Sequence, residues 1–384
     1  MKNKTSIMDN KFLQAVGLLV GYVIGVGMFG VPFLVSRSGL VSFFVILAIL
    51  GFIQYLIHLI YANIILETPG YHRMAGYASI YLGKKWKHFT FFAKTLGNYS
   101  ALLAYIVITG IFLNQLLGPY LGGNEFVYAS ILFLLEAIVL FFGIGMIAKA
   151  ELFMSGLLLF TVIFLVARGA PEIRAENFIT LDWKYFFLPY GAILFALDGA
   201  GIIPTISKLL GKNKRQIEKT IIAGAIIPVV VVVAFTLVIL GISGKGTTPD
   251  ALTGISNILG DGVVIFSLIF GVLTMVTSFL GVSQCIKETL VWDYKVNNHA
   301  AWFLAAFFPY MLYLIGVTDL SKIISFAGAI FGGISAIIMI LIFLNLRKRS
   351  KNKPAILKHL PGKALAGALI AIFILGIIYE IFMF

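Results

Sequence analysis

Charge is what this chain lacks. Only 12% of its 384 residues are Asp, Glu, Lys or Arg, against about 25% in soluble domains. With 60% hydrophobic residues beside that shortage, an ordinary soluble fold is excluded. The single cysteine, Cys285, excludes an internal disulfide and any cysteine-based metal cluster. No histidine or acid stands at metal-ligand spacing from His58, and no H-E-x-x-H pattern occurs, so neither a transition-metal site nor a membrane-embedded metalloenzyme is expected. No cofactor is called for. The first apolar run, 12–36, is too long for a signal peptide, and no A-x-A-like cleavage site follows it.

Apolar runs, by contrast, are abundant. A bilayer core needs about 20 apolar residues per helix. Eleven spans are expected: 12–36, 40–66, 89–117, 125–144, 151–168, 184–209, 219–242, 260–289, 299–317, 320–346 and 362–383. With the N-terminus in the cytoplasm, all but six of the 29 Lys and Arg fall on the inner side; the six are Arg37, Arg168, Arg174, Lys184, Lys245 and Lys322. That asymmetry orients the chain N-in and C-out in the cytoplasmic membrane. It also accounts for the net charge of +13 without a nucleic-acid partner. Residues 71–88 mix tyrosines with bases and predict a short helix on the cytoplasmic surface. Thr248-Pro249-Asp250 predicts the start of a short external helix, with Thr248 as its cap.

Two spans carry features that a lipid-exposed helix does not tolerate. The first holds Ile24-Gly25-Val26-Gly27-Met28-Phe29-Gly30-Val31-Pro32. Glycine costs about 1 kcal/mol against alanine inside a helix, and proline about 3. Broken backbone at membrane depth survives only where it is buried in protein or lines a cavity. The letters also spell G-x-G-x-x-G, but the next acid after Gly30 is Glu67 and the flanks are apolar, so a dinucleotide site is rejected. Span six repeats the pattern, with Asp198-Gly199-Ala200-Gly201 followed by Pro204. Interrupted helices at matching positions of two halves point to a transporter site. The expected fold class is therefore an all-α polytopic membrane protein. It forms one transmembrane domain over 1–383, with repeat one at about 12–168, an inverted repeat two at about 184–346, and an extra helix, 362–383.

The segment Ile24 to Pro32 resembles the first span of amino acid permeases, and most resembles the aromatic and hydroxy amino acid permease branch of the amino acid–polyamine–organocation superfamily. Phe195 to Pro204, the Ala104-Tyr105-Ile106 step, and Thr277-Ser278-Phe279-Leu280-Gly281 through Glu288 are similar to that branch too. The resemblance implies the leucine-transporter fold and ion-coupled secondary transport of an amino acid. Asp198 departs from the pattern, where a small or neutral residue is expected. The alternative on the same scaffold is an amino-acid-sensing, germinant-receptor-like protein that binds without net flux.

A broken helix offers N–H groups at its new N-terminus and bare carbonyls at its new C-terminus. The substrate carboxylate is assigned to amides around Gly27, Met28 and Phe29, and its ammonium to carbonyls near Val23, Ile24 and Phe195. The nominated substrate-binding residues are Ile24, Gly25, Val26, Gly27, Met28, Tyr105, Phe195, Asp198 and Gly199. Tyr105 and Phe195 enter on the resemblance, as walls between the solute and an outer vestibule. Asp198 either binds the ammonium, carries a transported proton, pairs with a distant base or caps the second half-helix. Thr274, Thr277 and Ser278 are the candidates for a sodium site that the resemblance places at the crossing of spans one and eight; the local alternative is hydroxyls bonded to their own helix. The coupling ion is Na+ or H+. Glu136 is either a proton relay or a structural hydrogen bond, and Gln54 with His58, at i and i+4, reads as interhelical polar glue.

Overall fold

The computed structural model describes residues 2–142, 147–349, 354–356 and 362–383. The end of the expected fourth span beyond Phe142, and Lys351, Lys353 and Lys358, lie outside the described residues.

The described chain is helical. Helix α1 (Lys2–Val23) is followed after two residues by α2 (Val26–Ser38), then α3 (Leu40–Glu67), a short α4 (Met74–Leu82), the long α5 (Lys84–Leu121), α6 (Glu125–Phe142) and α7 (Ile147–Gly169). After single 3-10 turns come α8 (Tyr190–Ala196), α9 (Ile203–Leu209), α10 (Lys214–Ser243), the short α11 (Ser256–Leu259), α12 (Asp261–Tyr294), α13 (Asn298–Leu314), α14 (Leu320–Phe326), α15 (Gly333–Arg349) and α16 (Lys363–Met383). A π-helical stretch, Ala327–Gly332, joins α14 to α15. Among the described residues, eight helices are long and apolar enough to cross a membrane, and the bent α1–α2 pair makes a ninth. Helices α7 and α13 occupy the other two expected positions; α13, at 17 residues, is about 25 Å long.

Burial separates centre from periphery. Helix α2 is buried almost all round, and α8 buries everything except Phe195. A helix apolar on every side belongs inside the bundle. Helix α6 is two-faced: Tyr128, Ala129, Phe133, Glu136, Ala137 and Leu140 form a buried stripe, while Ile131, Leu134, Leu135 and Ile138 are exposed. Helix α16 likewise buries Ala366, Leu369, Phe373, Gly376 and Glu380 at helical spacing and exposes Leu375, Ile378, Ile381 and Phe382. Both faces suit lipid on one side and protein on the other.

Two expectations change here. Helix α4 does not lay its tyrosines at a surface. Tyr77 and Tyr81 are buried, with Tyr77 edge-on to Tyr61 at 6.0 Å and the Tyr81 hydroxyl 2.9 Å from Thr68 Oγ1. The aromatic rings make the segment a packed element rather than an interfacial one. Nor does Thr248 cap a helix: the turn Thr253–Ile255 starts five residues later. Asp250 Oδ2 accepts there from Thr253 N–H at 2.9 Å, while Thr248 Oγ1 accepts from Gly254 N–H at 3.0 Å.

Helix α8 comes very close to the end of α14 and to the π-helical stretch. A Cβ on Gly191 would overlap the Ser325 carbonyl, and one on Gly328 would overlap the Gly191 carbonyl. Backbone meets backbone, so no flexible side chain can yield. Gly328→Ala is expected to destabilise the detergent-solubilised protein by about 1–3 kcal/mol, the usual range for overpacking. Gly281→Ala, with nothing within 4 Å of the new methyl, is expected to leave the melting temperature unchanged. Melting curves of the two variants check both.

Candidate functional site

The first break falls at Ile24–Gly25, where the axes of α1 and α2 bend by 45°. Ile24 N–H still reaches Val20 O at 2.8 Å, and Met28 N–H turns back to Gly25 O at 3.2 Å. The first amides of a helix have no partner inside their own helix. Val26 and Gly27 N–H therefore stand at a new N-terminus deep in the bundle. Pro32 sits inside α2, nearly two turns past this weakened start.

The second break follows α8. Leu197 N–H donates to Ile193 O at 3.1 Å and Asp198 N–H to Phe195 O at 3.2 Å. The Phe195 carbonyl, expected to be bare, is thus taken by the chain's own turn. Asp198 Oδ1 accepts from Ala200 N–H at 3.0 Å, which caps the 3-10 turn Ala200–Ile202, and Pro204 then opens α9. Gly199 N–H donates to His58 Nε2 at 3.0 Å, and Gln54 Nε2 donates to Leu194 O at 3.4 Å. The acceptor role of Nε2 places the proton of a neutral imidazole on Nδ1. Gln54 and His58 are the interhelical glue their spacing suggested, and what they hold is the broken helix.

The two breaks touch. A Cβ on Gly27 would lie 2.8 Å from Ala196 Cα and from Phe195 Cδ1. Beside that contact is a cavity of about 60 Å³, bounded by Gly25, Gly27, Tyr105, Phe195 and Asp198. It has room for a few water molecules. Val23, whose carbonyl was expected near the ammonium, lines it too; parts of the wall that were not anticipated include Tyr22 of α1, Lys94, Gly97 and Asn98 of α5, and Gly328 and Phe331 of the π-helical stretch. Lys94 Nζ lies 3.4 Å from Asp198 Oδ2. Of the four roles its position allowed, Asp198 thus pairs with a base; it does not cap the second half-helix α9, whose N-cap Ile202 carries no side-chain bond, and holds only the 3-10 turn before it.

Other nominated residues lie elsewhere. Ile24 and Val26 are buried in the core, and Met28 points into a small cavity with Phe29, Leu158 and Phe235. Gly199 packs against Val23, Leu19 and His58. Thr274 Oγ1 donates to Phe270 O at 2.8 Å and Thr277 Oγ1 to Thr274 O at 2.9 Å, the local alternative for such hydroxyls. Neither these two nor Ser278 lines the chamber, and Glu136 does not either.

Two further cavities flank the chamber. One, of about 50 Å³, shares Lys94 and Asn98 with it and is bounded by Tyr61, Arg73, Ala200 and Cys285. Arg73 closes that side: its Nη2 is 3.3 Å from Glu288 Oε2 and its Nη1 donates to Gly201 O at 3.4 Å. The other, about 510 Å³, lies at the opposite end of α3, between Phe33, Leu34 and Arg37, the Pro249–Asp250 turn, and Thr318 to Lys322.

Residues 8–381 match the tryptophan/tyrosine permease family. The chain belongs to that family. This permease is 22% identical to the tyrosine-specific transport system 1 of Haemophilus influenzae, over 96% of the chain and 95% of the relative. It is 24% identical to the low affinity tryptophan permease of Escherichia coli K12, over 78% of each. Its structure matches that of MhsT in complex with L-phenylalanine, with a TM-score of 0.69 and 15% identity over 96% of this chain and 98% of the other. The permease thus has the fold of MhsT and is a multi-pass membrane protein.

The signal for the missed wall was partly visible. Gly-Ala-Ile-Phe-Gly-Gly, residues 328–333, is a run of small residues in span ten like those in spans one and six. Removing the acceptor in His58→Leu leaves the Gly199 N–H buried without a partner, at a cost of about 1–3 kcal/mol. That variant of the permease is expected to melt earlier than the wild type. Gln54→Leu, which loses a longer contact, is expected to shift less in the same assay.

Proposed function

We propose that this permease is a secondary active transporter that moves an aromatic amino acid across the cytoplasmic membrane by alternating access, coupled to H+ or Na+. The observation that carries the reading is the pair of breaks meeting at Gly27 and Ala196 beside a chamber with one acid and one base. The names of its relatives, a tyrosine-specific transport system and a tryptophan permease, supply the substrate class. The glycines and alanines of the wall leave space for a flat ring, and Tyr105, Phe195 and Phe331 offer faces to stack on it. A solute of that size fills more than the present cavity, so these rings move aside as it enters.

In this reading the Val26 and Gly27 amides take the substrate carboxylate at the positive end of α2. The end of α1 and Asp198 take the ammonium. Thr274, Thr277 and Ser278 remain the candidates for a sodium site and Asp198 for a proton. The chain crosses eleven times, N-terminus in the cytoplasm and C-terminus outside, as two inverted five-helix halves plus α16. The 510 Å³ cavity then faces outward, and Arg73 with Glu288 closes the cytoplasmic side.

Purified protein in liposomes is expected to accumulate labelled L-tryptophan or L-tyrosine under an ion gradient. Replacing sodium by choline at fixed pH abolishes uptake if sodium is coupled and spares it if protons are. Binding without accumulation under either gradient contradicts transport. Cys285, the only cysteine of the chain, lies in the cavity that Arg73 bounds. Arg73→Ala is expected to speed its maleimide labelling several-fold from the cytoplasmic side; an unchanged rate removes Arg73 from the closure.

A further inference from the structure

Among the described residues, Lys94 and Asp198 are the only charged side chains on the chamber wall. Their separation, 3.4 Å, is longer than the roughly 2.7–2.9 Å of a tight charge-assisted bond. Asp198 is held from the other side by Ala200 N–H, so its position is set by the break. Lys94 has three donors and makes one described hydrogen bond, to Asp198. It also borders both the chamber and the second cavity. A four-carbon stem on the continuous helix α5 allows its ammonium to turn between them.

We propose that Lys94 is a specificity-determining residue that sets the net charge of the solute the chamber accepts. This rests on the reading of the chamber as an amino acid site. With Lys94 present the two groups cancel, and a zwitterion leaves the sum at zero. An amine that has lost its carboxylate adds a cation that nothing balances. An acid that has lost its ammonium adds an anion in the same way. Charge that is not balanced is costly at membrane depth, and for a part-buried pair such as this one losing one partner leaves the other charge uncompensated. Asp198 alone balances the charge of an amine; with Lys94 3.4 Å away that charge is already balanced, so only a solute that brings its own carboxylate leaves the sum at zero. The same argument assigns the pair opposite roles. Without Lys94 the chamber favours cations, and without Asp198 it favours anions.

The test measures binding of five probes to the purified protein by thermal shift and by competition with labelled L-tryptophan: L-tryptophan, tryptamine, L-tyrosine, tyramine and indole-3-propionate. Wild-type protein is expected to bind the amino acids and reject the amines. In Lys94→Met the ratio of amine to amino acid affinity is expected to rise by about tenfold or more. Asp198→Asn is expected to shift the other way, gaining affinity for indole-3-propionate relative to L-tryptophan. The double variant, again uncharged in sum, is expected to return the amine ratio toward the wild-type value. That return distinguishes charge balance from loss of a packing contact, which the double variant would worsen. Should Lys94→Met not fold, the anion shift of Asp198→Asn decides alone. An amine ratio unmoved in Lys94→Met, or an anion preference unmoved in Asp198→Asn, while wild type binds the amino acids, overturns this inference and spares the amino acid reading. Wild type binding none of the five probes overturns both.

Discussion

Main chain pressed against main chain is the contact on which this structure depends. Gly27 of α2 lies on Ala196 at the end of α8, at a distance that admits no side chain on Gly27. Both segments are interrupted there, and lipid could not satisfy the polar groups that the interruptions leave. Packing the two breaks together moves them into protein and places their amides and carbonyls around one small chamber. The same closeness recurs where Gly191 and Gly328 meet. Three helical segments, α2, α8 and the π-helical stretch, are thereby drawn together, and the cavity lies beside them.

The polar groups of the second break are provided for from several directions. His58 and Gln54 reach it from α3, and Asp198 caps the turn that follows it. Lys94 then meets Asp198 from α5. Among the described residues, two further ion pairs lie toward the α4 end of the bundle: Arg73 with Glu288, and Arg347 with Glu67. Glu67 and Asn63 also accept from Ala355 N–H, which ties the chain beyond α15 back to the end of α3. The ion pairs thus join elements distant in sequence at the chamber and along one end, while the periphery of α6 and α16 stays apolar.

Much of this was legible in the sequence because broken backbone writes itself in residue type. Glycine and proline in an apolar run are costly unless the helix is meant to stop, so Gly25, Gly27 and Pro32, and later Gly199, Gly201 and Pro204, marked the two breaks. Asp198 stood out because a deep acid is rare. Lys94 did not, because a base close to the end of a span counts equally well as a marker of orientation. The tyrosines of α4 misled for a related reason: an aromatic next to a base suits a membrane interface and a packed core alike, and only the tertiary neighbours Tyr61 and Thr68 decide. Thr274 and Thr277 allowed two readings, a sodium site that depends on the partner helix and hydroxyls bonded to their own helix; the second is the local geometry they have, and residue type alone does not separate the two. The glycine-rich run of span ten was visible but lacked the Gly-x-Gly and proline pairing of the other two, and a π-helical turn has no comparable signature.

The central claim is that the solute sits between the two breaks. The most direct measurement is an experimental structure of the purified permease with bound L-tryptophan or L-tyrosine. The account predicts the amino acid carboxylate within about 3 Å of the Val26 and Gly27 amides, with its ring against Tyr105 or Phe331. An amino acid bound only in the wide cavity near Arg37 and Lys322, with the space beside Gly27 and Ala196 unoccupied, contradicts it.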